Sequence, residues 1–196
     1  MRVSLKLPLI FTIAAALAAC GPDPNARFQK NTPAMVGGVI VPVVEEAFET
    51  AMVPEDNIDS PTAWTTPEGD IWLIASAKSN DRLMVYDGST GMMLKTIGRK
   101  GKGELEFDRP NGVAVVDNLL FVVERDNHRV QVLELPGFNH VATFGSDELV
   151  KPYGLWVNAG AGDYSVYVTD AYDDGEDANG DDILPPLEKL DRHVPA

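Results

Sequence analysis

The chain has 196 residues, 44% of them hydrophobic, with 30 acidic against 16 basic side chains and a net charge of −14. That is apolar material for one ordinary domain, and mean hydropathy near zero excludes a polytopic membrane protein and wholesale disorder. The charge excludes a nucleic-acid partner and broad electrostatic docking on an anionic leaflet, whose phosphates it would repel; it favours solubility, a bound cation or a cationic partner.

Residues 1–19 read as a secretory signal. Met1 to Lys6 carries two positive charges and no acid, and Leu7 to Ala19 is an apolar run too short to span a bilayer. Leu17-Ala18-Ala19-Cys20, followed by Gly21, resembles the bacterial lipobox, in which the cysteine is lipidated and becomes the mature N-terminus. Cys20 is the only cysteine, which rules out an internal disulfide and a cysteine-based metal site. Acyl chains on Cys20 would anchor an otherwise soluble domain in the cell envelope, and Gly21 at the next position implies sorting to the outer membrane. Cleavage would shift the net charge from −14 to −16, since Arg2 and Lys6 are lost without an acid.

Residues 20–53 are expected to be the lipidated end, a tether and a lead-in. Gly21 to about Pro33 is rich in Pro, Asn, Asp and Gln. Val36 to Val44 reads as a strand weakened by Gly37, Gly38 and Pro42, and Glu45 to Thr50 as a short helical turn or the domain entry.

From about residue 54 to 196 the chain repeats. Ile58-Asp59-Ser60-Pro61, Phe107-Asp108-Arg109-Pro110 and Leu149-Val150-Lys151-Pro152 open three similar units when aligned on their prolines. Each opening leads into an apolar β-rich run: Asp70–Ala75, Asn118–Val123 and Tyr164–Thr169. In the first two units the turns Asn80-Asp81-Arg82 and Asn127-His128-Arg129 start a further strand, and Met93–Gly98 and His140–Gly145 close each unit. Four short β-branched runs per unit, separated by Gly, Asn and Asp, predict all-β propeller blades of four antiparallel strands; a β-sandwich is the alternative. Trp64, Trp72 and Trp156 are expected in the core. Gly98-Arg99-Lys100-Gly101-Lys102-Gly103 lacks phosphate-loop spacing and reads as a mobile connector.

The third unit departs after its second strand into Asp170–Asp182, which contains no Lys or Arg. Two blades and part of a third make an incomplete ring, so missing blades or a partner chain would be needed to close it. Within the insertion, Asp173, Asp174, Asp177, Asn179 and Asp181 are candidate calcium ligands, because a hard cation prefers oxygen donors and Asp177-x-Asn179-Gly180-Asp181 alternates them before a turn. It is not an EF-hand, since Gly175 would stand first and Pro186 last.

The second unit, Arg109-Pro110-Asn111-Gly112-Val113 through Arg125-Asp126-Asn127-His128-Arg129-Val130-Gln131-Val132, resembles an NHL-type repeat. The larger arrangement resembles the β-propeller phytases. Asp56-Asn57-Ile58-Asp59-Ser60-Pro61-Thr62-Ala63-Trp64 is similar to their Asp-Asp-Pro-Ala-Ile-Trp opening, with Ser60 where the second Asp usually stands. Ala77-Lys78-Ser79 through Val85-Tyr86-Asp87, Tyr153-Gly154-Leu155 and Tyr167-Val168-Thr169 follow in the family's order, although its Lys-Glu pair is replaced by Ala171-Tyr172. The resemblance implies calcium-dependent hydrolysis of phosphomonoesters such as phytate by a metal-bound water. It also implies that Lys78, Arg125 and Tyr153 contact substrate phosphate and that Asp59 belongs to a calcium site. Most of the family's other carboxylate ligands lie in later blades, so the implied enzyme is a truncated form. The alternative is a non-catalytic NHL-type propeller lipoprotein that presents loops to a protein or glycan partner.

Overall fold

The structure is a computed structural model that describes residues 34–41, 46–160, 163–171, 175–181 and 183. The signal segment, Cys20, Asp173 and Asp174 lie outside the described residues. Among the described residues there is no helix, and none is therefore long and apolar enough to cross a membrane.

Residues 34–41 form a small hairpin of β1 (Ala34–Val36) and β2 (Val39–Val41). The run expected as one strand is thus two, because Gly37 and Gly38 both take positive φ and reverse the chain. Residues 46–50 form no helical turn.

The first blade is an antiparallel sheet of β3 (Ile58–Thr65), β4 (Ile71–Ala77), β5 (Arg82–Asp87) and β6 (Met93–Ile97) in chain order. A connector holds β7 (Arg99–Lys100) parallel to β8 (Glu106–Phe107). The second blade repeats the first with β9 (Pro110–Val116), β10 (Leu119–Glu124), β11 (Arg129–Glu134) and β12 (Asn139–Phe144). A third unit has two strands, β13 (Pro152–Ala159) and β14 (Tyr164–Asp170). The ring is not closed among the described residues.

Strand periodicity explains the stacking. Successive side chains of β10 point to opposite faces. Leu120 and Val122 therefore pack with Ile74, Leu83, Val85 and Phe107 on the side of the first blade. Phe121 and Val123 pack against Leu155, Val157, Val166 and Val168 of the third unit. Because both faces are buried, β10 carries a continuous apolar run, Leu119 to Val123, where a sheet with one wet face would alternate.

The register corrects the proline alignment. Ile58, Pro110 and Pro152 occupy the same position, each paired with the last residue of the next strand: Ala77, Glu124 and Asp170. Pro61 lies three residues further in, opposite Ala75. Between these pairings three residues of the inner strand span two of its neighbour, so each inner strand carries a β-bulge. The bulged residues are Asp59-Ser60, Asn111-Gly112 and Tyr153-Gly154.

Two further expectations change. Trp64 is buried and packs edge-on to the half-buried Trp72 at 5.3 Å, but Trp156 is 61% exposed and pairs with Tyr167, itself 56% exposed. By register Trp156 and Tyr167 correspond to Ala114 and Phe121, which the third unit covers. The described residues contain no further unit to cover the third in turn. The basic connector, expected to be mobile, makes ion pairs on both of its first two basic residues. Arg99 donates two hydrogen bonds to Glu106, and Lys100 Nζ lies 2.7 Å from Asp108 Oδ1 and 3.4 Å from Asp81 Oδ2.

Candidate functional site

The turn after each second strand returns to the start of the inner strand, so the turns and the three bulges meet at one end of the blades. The amide of Lys78 donates to the Asn57 carbonyl, that of Arg125 to the Arg109 carbonyl, and that of Ala171 to the Lys151 carbonyl. Lys78, Arg125 and Ala171 are thus one position repeated three times. Asn57 and Arg109 both adopt a left-handed φ, 49° and 52°, which turns the chain sharply into the inner strand.

Three of the residues singled out in the sequence converge here. Lys78 Nζ is 3.2 Å from Asp59 Oδ2 and lies 5.7 Å from the centre of the Tyr153 ring, so one ammonium joins the first blade to the third unit. The Lys78 side chain is largely buried, whereas Tyr153 is 42% exposed and open to solvent. Arg125 does not join this group. Its guanidinium lies 3.6 Å from Asp126 in its own turn.

Beside the convergence is an open pocket of about 200 Å³ lined by Asn57, Lys78, Ser79, Asp81, Lys100, Asp108, Arg109 and Asp126. Its acids are already engaged. Asp81 accepts the backbone N–H of Arg109, and its other oxygen faces Lys100. The hydrogen bond that Lys100 donates to Asp108, with the nearby charge of Asp81, holds its ammonium above its ordinary pKa, so it stays charged through neutral pH. Arg109 differs: among the described residues its Nε is buried without a hydrogen-bond partner. Sequence reading missed Lys100 and Arg109 as site residues. Arg109 stands in the quoted repeat opening, yet nothing in the sequence showed that its positive φ would bring it to the pocket.

Fully buried in the second blade, Glu124 accepts from Arg129 Nε at 2.8 Å, Gln131 Nε2 at 2.7 Å, Asn127 Nδ2 and the Asp108 amide. Arg129 also donates to the carbonyls of Lys102, Gly103 and Glu106, clamping the connector onto β11. In the first blade Ala77 replaces Glu124, and the carboxylate comes from the turn just before β3. Asp56 accepts from Asn80 Nδ2 and Arg82, each at 2.6 Å. The Asn80 bond and then Arg82 hold Asp56 below its usual carboxylate pKa. His128 is structural in the same sense, its Nδ1 meeting the Val150 carbonyl.

In the acidic insertion, Asp177 Oδ1 accepts the amides of Asn179 and Asp181, and these bonds lower its pKa. The Asp177 carboxylate therefore closes its own turn, joined by the Asp181 backbone and by both the backbone and the side-chain amide of Asn179. The described residues contain no group of three or more His, Cys, Asp or Glu placed to hold a metal. Asp59 Oδ2 is buried and, among the described residues, faces only the Lys78 ammonium.

Residues 107–133 match the family model of the NHL repeat. The stretch runs from Phe107 through β9 and β10 into β11, and its Glu124, Asn127, Arg129 and Gln131 are the buried clamp just described. The match supports a β-propeller fold. No curated protein gives a significant match to the chain.

Proposed function

We propose that the end of the blades carrying Lys78, Lys100 and Arg109 binds a phosphorylated small molecule, and that the protein acts as a phytase-like phosphomonoester hydrolase. The observation that carries this reading is Arg109. A guanidinium lining one pocket with two ammonium groups suits the multiple acceptor oxygens of a phosphate ester. Tyr153, exposed beside Lys78, would supply a hydroxyl and a flat apolar face to the ring bearing the ester.

Calcium, which the phytase resemblance implies, would supply charge inversion and a nucleophilic water when bound. A calcium ion takes six to eight oxygens, and at this end of the blades the described residues offer acids that are already paired: Asp59 with Lys78, Asp108 with Lys100 and Asp126 with Arg125. They do not form a calcium cage by themselves. In the same reading Cys20 carries acyl chains that hold the domain at the outer membrane.

The test is phosphate release from inositol hexakisphosphate by the full chain, with and without millimolar calcium, beside calorimetric binding of the same ligand. Binding that is lost in Arg109→Ala supports the site, and release supports the enzyme. Absence of both would favour the non-catalytic NHL-type scaffold. Fatty-acid labelling that persists in Cys20→Ser would sink the anchor.

A further inference from the structure

In each complete blade the second strand is flanked on both sides, by β3 and β5 around β4 and by β9 and β11 around β10. In the third unit β14 pairs only with β13, which leaves its outer edge open among the described residues. An open edge presents a row of N–H and C=O groups that bind any strand offered to them. We propose that this edge takes the chain's own segment Arg192–Val194 as the third strand of a third blade.

Register and charge choose the occupant. The third strand of each blade begins with an arginine directly opposite the last residue of the second: Arg82 opposite Ala77, and Arg129 opposite Glu124. That arginine is neutralised by a carboxylate, Asp56 in the first blade and Glu124 in the second. Asp170 holds the Glu124 position and does part of its work, accepting the amides of Val150 and Lys151 as Glu124 accepts that of Asp108. No arginine faces Asp170 among the described residues. After it the sequence contains one arginine, in Asp191-Arg192-His193-Val194, which follows the pattern of Asp81-Arg82-Leu83 and His128-Arg129-Val130. The intervening acidic segment doubles back, because the Ile183 amide donates to the Gly175 carbonyl at 2.7 Å. The nine residues from Ile183 to Arg192 then span up to about 30 Å, ample to return to Asp170. In this arrangement residues 171–191 are an enlarged turn of the third blade, at the end of the molecule where Lys78 and Arg125 sit.

Two measurements on the full chain test the assignment. In hydrogen exchange, the β14 amides that do not bond to β13 should exchange on the order of tenfold more slowly than in a chain ending at Ile183. In urea denaturation, Arg192→Ala should destabilise the protein, and should do so far less in an Asp170→Asn background. Equal exchange in the two chains, or additive effects of the two substitutions, would overturn the proposal. So would β14 protection that disappears on dilution, since the strand would then come from another copy.

Discussion

Arg109 and Lys78 both bring positive charge to the pocket, but they enter it under different constraints. Lys78 is already paired with Asp59 at 3.2 Å, so an incoming phosphate must compete with a carboxylate for it. The Nε of Arg109 has no such competitor among the described residues. A hydrogen bond to a charged group contributes about 1.5–3 kcal/mol net, which is roughly a 10- to 150-fold change in affinity. Arg109→Ala should therefore weaken binding of inositol hexakisphosphate within that range, and Lys78→Ala should weaken it less. Asp59→Asn should strengthen it, because the freed ammonium would face the ligand. Titration calorimetry of the three variants checks the order. If Asp59→Asn weakens binding, the carboxylate belongs to the ligand site, as a cation ligand would.

At the scale of the elements, the clamp around Glu124 decides whether the connector between the blades stays in place. Removing one member of a fully buried, hydrogen-bonded charge pair leaves the other without compensation, at a cost of about 3–5 kcal/mol. Glu124→Ala should lose about that much stability in urea, because Arg129 stays inside with only carbonyls to face. Glu124→Gln should lose less, since an amide keeps one acceptor oxygen for Arg129 and Gln131, although its NH2 group then faces the Asn127 and Asp108 donors. Equal losses would mean that the charge pairing with Arg129, which both variants remove, outweighs the hydrogen bonds that the amide keeps. The turns that supply this clamp were legible beforehand, since Asn-x-Arg recurs at a fixed place between β-branched runs. The bulges were not, because an extra residue breaks the period of two that identifies a strand, and Pro61 then drew the first unit out of register by three positions. Trp156 misled for another reason. Its neighbours along the strand match those of a core strand, but burial depends on whether another unit covers the face, which a local pattern cannot report.

Over the whole molecule, a net charge of −14 opposes the ligand that the pocket's cations attract. The two effects have different reach. Lys78, Lys100 and Arg109 would act on a bound phosphate at hydrogen-bonding distance, where salt screens weakly, whereas the remaining acids would act across the molecule. The Debye length falls from about 30 Å at 0.01 M salt to about 10 Å at 0.1 M. At the lower salt the field of the whole chain reaches the pocket, and at the higher it is largely screened. Binding of inositol hexakisphosphate without divalent cations should therefore tighten, or hold steady, as salt rises over this interval. A simple basic site would instead weaken steadily. Calorimetry at the two ionic strengths, using a monovalent salt of a weakly binding anion, distinguishes the cases. Monotonic weakening would mean that the local cations outweigh the acidic surface even at long range. Calcium added at the lower salt should then reproduce the benefit of screening at a far smaller concentration, because a bound divalent ion cancels two charges where the repulsion is felt.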